Sequence, residues 1–258
     1  MAMRPLVEIP AADGTAEAVV ARPDADGTYP GVLLWMDAIG LRPRIEEMAD
    51  RIASWGYIVL APNTFYRLGS AAEMSPPAGT DLTDPEQRAT YGQLSLPRVA
   101  ELTKERTEAD VAPFVAALRA LPGVAEGPIG TTGYCMGAKH ATRAACVDPS
   151  IAACGGFHGA HVASDGPDSP HLSLGSARAA FVYGHADRDG TMPPEMVERL
   201  DAALAEHGLQ AQTAIYPDAP HGFTMSDTSS YQEAGAERHF AELEELFART
   251  LQAGGEHA

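Results

Sequence analysis

Short continuous apolar runs alternate along this chain with longer stretches in which apolar residues recur every three or four positions. Such alternation predicts strands covered on both faces, separated by amphipathic helices. Val7-Glu8-Ile9 and Ala18-Val19-Val20-Ala21 predict opening strands, with Ala12-Asp13-Gly14 as the turn of an antiparallel edge. Pro30-Gly31-Val32-Leu33-Leu34-Trp35-Met36 is uninterrupted and predicts a central parallel strand, followed by a loop at Asp37-Ala38-Ile39-Gly40. Ile45, Met48, Ala49, Ile52 and Ala53 then follow helical spacing, Gly56 ends the pattern, and Tyr57-Ile58-Val59-Leu60-Ala61 predicts the next strand.

Residues 63–97 break this rhythm with scattered Asn, Gly, Ser and Pro, in a stretch too long for an ordinary connection. We read it as an irregular, partly helical excursion over the site. A helix from about Val99 to Leu121 should return the chain to the sheet, and further strand-helix units run to a last helix over about Tyr231 to Leu251. The class is α/β: a mainly parallel central sheet with helices on both faces, whose ligands bind at the carboxyl ends of the strands. At 258 residues with 45% hydrophobic content, a single domain over 1–258 is expected.

Gly130-Thr131-Thr132-Gly133-Tyr134-Cys135-Met136-Gly137-Ala138 sets a cysteine between two glycines where a β-rich run gives way to a helical one. A side chain displayed on a sharp strand-to-helix turn needs small flanking residues, so that the neighbouring elements can approach. Two further motifs follow in the order nucleophile, acid, base. Gly184-His185-Ala186-Asp187 closes the apolar run Ala179-Ala180-Phe181-Val182-Tyr183, and Ala219-Pro220-His221-Gly222-Phe223 follows the short strand pattern Ala214-Ile215-Tyr216. Asp189 is a rival to Asp187, but its neighbour Gly190 suggests a turn; Asp218 reads likewise.

Through Gly133-Tyr134-Cys135-Met136-Gly137, Gly184-x-x-Asp187 and His221-Gly222-Phe223, the chain resembles the dienelactone hydrolases, a cysteine-dependent branch of the α/β-hydrolases, over roughly residues 5 to 250. The resemblance implies an α/β-hydrolase fold and a carboxylic-ester or lactone hydrolase. Cys135 is then the nucleophile, His221 the base, Asp187 the acid that orients it, and the product of attack a thioester. The backbone N–H groups of Met136 and Ala38 are the expected oxyanion donors.

Asp37 stands where this family has a glutamate thought to hold the resting thiol, the alternative being that it only caps its loop. The family's type enzyme clamps a substrate carboxylate with two arginines. Arg88 or Arg98 could occupy space comparable to the first, whereas Phe223-Thr224-Met225 leaves no arginine at the second. Tyr134, Phe223 and His158 are further candidate substrate contacts. A general esterase on small neutral acyl groups and a noncatalytic thiol sensor are the alternatives.

The net charge of -17 excludes a basic stripe able to follow a phosphate backbone, so nucleic acid is not an expected partner. Three cysteines, Cys135, Cys146 and Cys154, are too few and odd in number for a disulfide framework. No window approaches eighteen apolar residues and Met1-Ala2-Met3-Arg4-Pro5 lacks a signal core, so a cytoplasmic protein without membrane partner is expected. His158, His161, Asp165 and His171 cluster in sequence but complete no zinc pattern. We expect no metal, no cofactor, a small-molecule substrate, and a monomer or small homo-oligomer.

Overall fold

The computed structural model describes residues 3–252. The expected domain limits at 1 and 258, and the reading of Met1 and Ala2, lie outside the described residues. One sheet of eight strands carries the fold, in the order β1-β2-β4-β3-β5-β6-β7-β8. The strands are β1 (Val7–Ala11), β2 (Gly14–Ala21), β3 (Gly31–Trp35), β4 (Ile58–Pro62), β5 (Ile129–Tyr134), β6 (Ile151–Phe157), β7 (Ala180–Ala186) and β8 (Ala211–Tyr216). β1 pairs antiparallel with β2, and β2 with β4; every other pairing is parallel. The antiparallel edge and parallel centre are those the hydrophobic runs predict. β3, β4 and β5 are buried along their whole lengths, as strands covered on both sides must be.

The helices are α1 (Pro43–Ser54), α2 (Ala71–Met74), α3 (Pro85–Ala100), α4 (Lys104–Ala120), α5 (Met136–Val147), α6 (Pro194–Glu206) and α7 (Glu233–Phe247). On one face of the sheet, Ile45, Met48 and Ile52 of α1 join Phe240, Leu243 and Phe247 of α7 in a core with Val32, Leu34 and Val59. On the other, Phe114 and Leu118 of α4, Ala141 and Ala144 of α5, and Leu200 of α6 cover Leu33, Leu60 and Phe181. Alanines dominate the buried face of α5, which lets this helix lie close on β5 and β6.

The excursion at 63–97 is more regular than its composition predicts. Asp84 accepts hydrogen bonds from the Glu86 and Gln87 amides with Pro85 at the first helical position, so this proline marks a helix start rather than a loop. The resulting α3 runs to Ala100 with Pro97 in its last turns, and the chain breaks there before Thr103 caps α4. The single helix expected from Val99 is therefore two. Only Tyr91 and Ser95 of α3 are buried, so this helix lies over the body of the fold rather than within it. No helix among the described residues is long and apolar enough to cross a membrane.

The two glycines around Cys135 are required by backbone contact. A Cβ placed on Gly133 would lie 2.0 Å from the Gly137 carbonyl oxygen, and one on Gly137 would lie 2.3 Å from the Trp35 carbonyl oxygen. These partners are main-chain atoms that no rotamer change can clear. Gly133→Ala is therefore expected to lose about 3 kcal/mol or more of stability, read from urea denaturation. A variant within about 0.5 kcal/mol of wild type, the range of an ordinary surface change, would show that this approach is not obligatory.

Candidate active site

Cys135 is the one residue between the end of β5 and the start of α5. Its φ of 55° and ψ of -118° place a side-chain-bearing residue where few are found, at a cost of about 1–3 kcal/mol. The turn is held by its neighbours: the Cys135 N–H donates to the Phe157 carbonyl at 3.1 Å, and the Cys135 carbonyl accepts from the Ala138 and Ala160 amides at 3.2 and 3.1 Å. The thiol is thereby lifted onto the carboxyl end of the sheet. Cys146 and Cys154 are also free, but burial pushes both thiols up, Cys146 to about 12, which leaves them protonated at neutral pH.

The loop after β8 brings His221 to the thiol, with Nε2 3.1 Å from Cys135 Sγ. Its other nitrogen, Nδ1, lies 2.6 Å from Oδ2 of Asp189. Asp187, the acid expected from sequence, does not face the histidine. β7 continues through Ala186, so Asp187 is the first residue beyond the strand, and its Oδ2 accepts the Asp218 amide at 3.1 Å. Arg188 takes a left-handed conformation, φ 55°, and turns the chain so that Asp189 points inward. Asp189 Oδ1 accepts the Thr191 amide and hydroxyl at 2.8 and 2.7 Å. The turn expected at Asp189 is real; one carboxylate oxygen makes it and the other receives the histidine.

Charge follows this geometry. Burial disfavours a charged imidazole, but the Cys135 thiolate and the Asp189 carboxylate outweigh it and raise His221 from 6.5 to about 10. Burial also works against the Asp189 charge, and the hydrogen bonds from His221 and Thr191 outweigh it, holding this carboxyl below its usual range. His158, whose ring centroid lies 5.3 Å from that of His221, is held neutral: burial and the neighbouring His221 push it well below the ordinary imidazole value.

Met136 and Ala38 line the cavity next to the thiol, and neither backbone N–H has a protein acceptor among the described residues. The intervening amides are used: Ile39 N–H donates to Asp37 Oδ1 at 3.0 Å and Gly40 N–H to the Asp37 carbonyl at 3.3 Å. Asp37 does not hold the thiol. Its carboxylate is gripped by Arg42 at 2.6 and 3.0 Å.

The cavity above the thiol is about 390 Å³, bounded by α3 on one side and the loops after β3, β6, β7 and β8 on the other. Arg88 of α3 lines it, with one Nη donating to the His221 carbonyl at 3.3 Å and Nε buried without a partner. Arg98 is not in the wall; it donates to the Met74 carbonyl at 2.9 Å and to Tyr91 Oη at 3.2 Å. Tyr134 and Phe223 are fully buried behind the site, Tyr134 with its hydroxyl 3.3 Å from His239 Nε2 and Phe223 against the His158 ring. His158 does line the cavity and bonds Thr224 Oγ1 through Nε2 at 2.8 Å. His171 bonds Ser169 and Asp165 pairs with Arg199, and no metal-binding group of His, Cys, Asp or Glu is found among the described residues.

Sequence reasoning passed over Thr191 and Arg42. The Asp189-x-Thr191 spacing was a usable signal, since a hydroxyl two residues on supports a carboxylate turn. Arg42 has none, because its partners lie in distant loops.

The model of the family described as "Dienelactone hydrolase family" matches residues 16–251. A "Putative carboxymethylenebutenolidase" of Salmonella typhi is 28% identical over 208 residues, covering 80% of this chain and 72% of that protein. The "Carboxymethylenebutenolidase" of Rhodococcus opacus is 25% identical over 220 residues, covering 82% and 78% respectively. The crystal structure of a "Putative Dienelactone Hydrolase from Klebsiella pneumoniae subsp. pneumoniae MGH 78578" has the same fold, with a TM-score of 0.79 at 24% identity over 96% of this chain and 99% of the other.

A group whose pKa is raised on folding stabilises the fold fully below its unfolded value, and that contribution is lost as pH climbs through the folded one. His221 thus supports the fold below pH 6.5 and ceases to as pH passes about 10. Followed by NMR of its ring protons, His221 is expected to titrate near 10 in the wild type. In Cys135→Ala, without the thiolate, the midpoint should fall toward 6.5. An unchanged midpoint would show that the thiolate does not hold the proton on His221.

Proposed function

Because the chain belongs to the dienelactone hydrolase family and is a hydrolase of the α/β-hydrolase fold, we propose that it cleaves a carboxylic ester or lactone by covalent catalysis on Cys135. The observation that carries this reading is the continuous line from Asp189 Oδ2 through His221 to Cys135 Sγ, at 2.6 and 3.1 Å. The thiolate is the reactive form of a cysteine nucleophile, and His221 Nε2 stands within reach of the sulfur to exchange its proton.

The thiolate attacks the substrate carbonyl carbon and forms the C–S bond, while the carbonyl electron pair moves to oxygen. The Met136 and Ala38 amides receive this oxyanion. As the pair returns, the C–O bond to the leaving group breaks, and the departing alkoxide or enolate takes the proton from His221 Nε2. A water molecule then gives a proton to neutral His221 and attacks the thioester carbon. Collapse of that second intermediate releases the acid and restores the thiolate-imidazolium pair. Asp189 keeps the Nδ1–H in place throughout and offsets the imidazolium charge.

Arg88 is the one arginine or lysine among the described residues lining the cavity, and Asp37 is neutralised by Arg42. The remaining wall includes Ala89, Leu96, Val99 and Met225. A small apolar ester or lactone with one acidic group suits this mix. The name carboxymethylenebutenolidase, borne by the relatives, describes such a lactone. The absence of an arginine at Phe223-Thr224-Met225 favours, as a second reading, small neutral esters.

Steady-state hydrolysis of a dienelactone and of p-nitrophenyl acetate tests the reading. Activity on either that vanishes in Cys135→Ala supports it, and activity that survives overturns it; the preferred substrate separates lactonase from esterase. Asp189→Asn is expected to lower kcat by roughly 10³- to 10⁴-fold, whereas Asp187→Asn stays within about threefold, since its carboxylate touches only backbone and Arg188. The reverse order would return the acid to Asp187. Arg88→Met should raise KM for the anionic lactone by roughly tenfold or more and leave the neutral ester nearly unchanged, as expected for loss of a charge-assisted hydrogen bond.

A further inference from the structure

One buried side chain ties the loop that carries Ala38 to the segment after β8. Arg42, 3% exposed, donates from Nη1 to Asp37 Oδ1 at 2.6 Å and to the Gly40 carbonyl at 3.2 Å, and from Nη2 to Asp37 Oδ2 at 3.0 Å. Its Nε and Nη2 also donate to Asp227 at 2.6 and 3.2 Å. All five guanidinium N–H groups are thereby used, two carboxylates are bridged by one planar fork, and every acceptor belongs to one of two loops. One is the 37–40 loop after β3. The other is the stretch after β8 that also carries His221.

We infer that Arg42 is a positioning residue for the oxyanion donor: it holds Asp37 so that the loop presents the Ala38 amide, and ties that loop to the histidine-bearing segment through Asp227. The inference rests on the hydrolase reading above. The internal bonds of the loop support it: Asp37 Oδ1 accepts the Ile39 N–H and the Asp37 carbonyl the Gly40 N–H, whereas the Ala38 N–H has no protein acceptor among the described residues and Ala38 lines the cavity. Without Arg42, the 3%-exposed Asp37 carboxylate would keep its charge uncompensated or swing toward water, and either change pulls on the loop it shapes. Tyr91 braces the same loop from α3, its hydroxyl donating to the Met74 carbonyl at 2.8 Å and lying 3.2 Å from the Ile39 carbonyl, but it reaches neither Asp37 nor Ala38.

Two reactions of the same sulfur separate this role from a general one. Hydrolysis of p-nitrophenyl acetate develops an oxyanion; alkylation of Cys135 by iodoacetamide is a displacement at a methylene carbon and develops none. In Arg42→Ala, kcat for hydrolysis is expected to fall roughly 10²- to 10³-fold, the range for a lost oxyanion donor, with KM and the alkylation rate within about threefold of wild type. Arg42→Lys should recover little, since an ammonium cannot bridge two carboxylates with a planar fork.

Equal losses in both reactions, or no loss in either, would overturn the inference. Should Arg42→Ala fail to give a cooperative thermal melt, Asp227→Ala decides: it removes a carboxylate whose side chain is 33% exposed and leaves the Asp37 pair in place. A smaller split in the same direction, roughly five- to thirtyfold on hydrolysis alone, supports the role, and parallel changes refute it. A wild-type protein that is alkylated at Cys135 but hydrolyses no ester would instead sink the hydrolase reading, before any variant is compared.

Discussion

Two backbones touch at the heart of this structure, where Gly137 at the start of α5 meets the carbonyls of Trp35 and Met36 at the end of β3. That contact sets the distance between the first turn of α5 and the loop after β3. Met136, next to Gly137, and Ala38, two residues beyond Met36, both line the cavity that holds Cys135. The strain at Cys135 is the local cost of the same arrangement, met by the Phe157, Ala138 and Ala160 main-chain bonds that fix the turn.

Electrostatics in the site run against the protein as a whole. The chain carries a net charge of -17, a field that repels anions in bulk solution. Within the cavity, Asp37 is cancelled by Arg42, Asp189 by the His221 imidazolium, and Arg88 stands with an unpartnered Nε. Local pairing thus sets the charge within the site apart from the global field, with Arg88 the one arginine or lysine of the cavity wall among the described residues. Salt should weaken the long-range repulsion more than these short contacts, because screening acts chiefly on exposed charges.

The fold was legible in the sequence because strands covered on both faces leave uninterrupted apolar runs, and runs such as Val32–Trp35 have no other reading at this length. The cysteine and histidine were legible for a related reason: Cys135 lies between Gly133 and Gly137, which neighbouring backbone demands, and His221 precedes Gly222, whose φ of 91° favours glycine. The acid was not. Asp187 and Asp189 flank a left-handed Arg188, and which of them turns inward depends on how far β7 extends, which the run Ala179–Tyr183 does not mark. Arg42 and its partner Asp227 were invisible because 185 positions separate them. In residues 63–97, proline was read as a breaker where Asp84-Pro85 begins a helix.

The wall of the cavity and the line of Cys135, His221 and Asp189 belong to different parts of the architecture. Cys135, His221 and Asp189 stand on loops anchored in the sheet, whereas Arg88 and Leu96 project from α3, a helix that buries only Tyr91 and Ser95. Changes along α3 therefore leave the core almost untouched and reshape the pocket directly. One peripheral helix thus sets a wall of the cavity while the sheet keeps the Cys135-His221-Asp189 line in place.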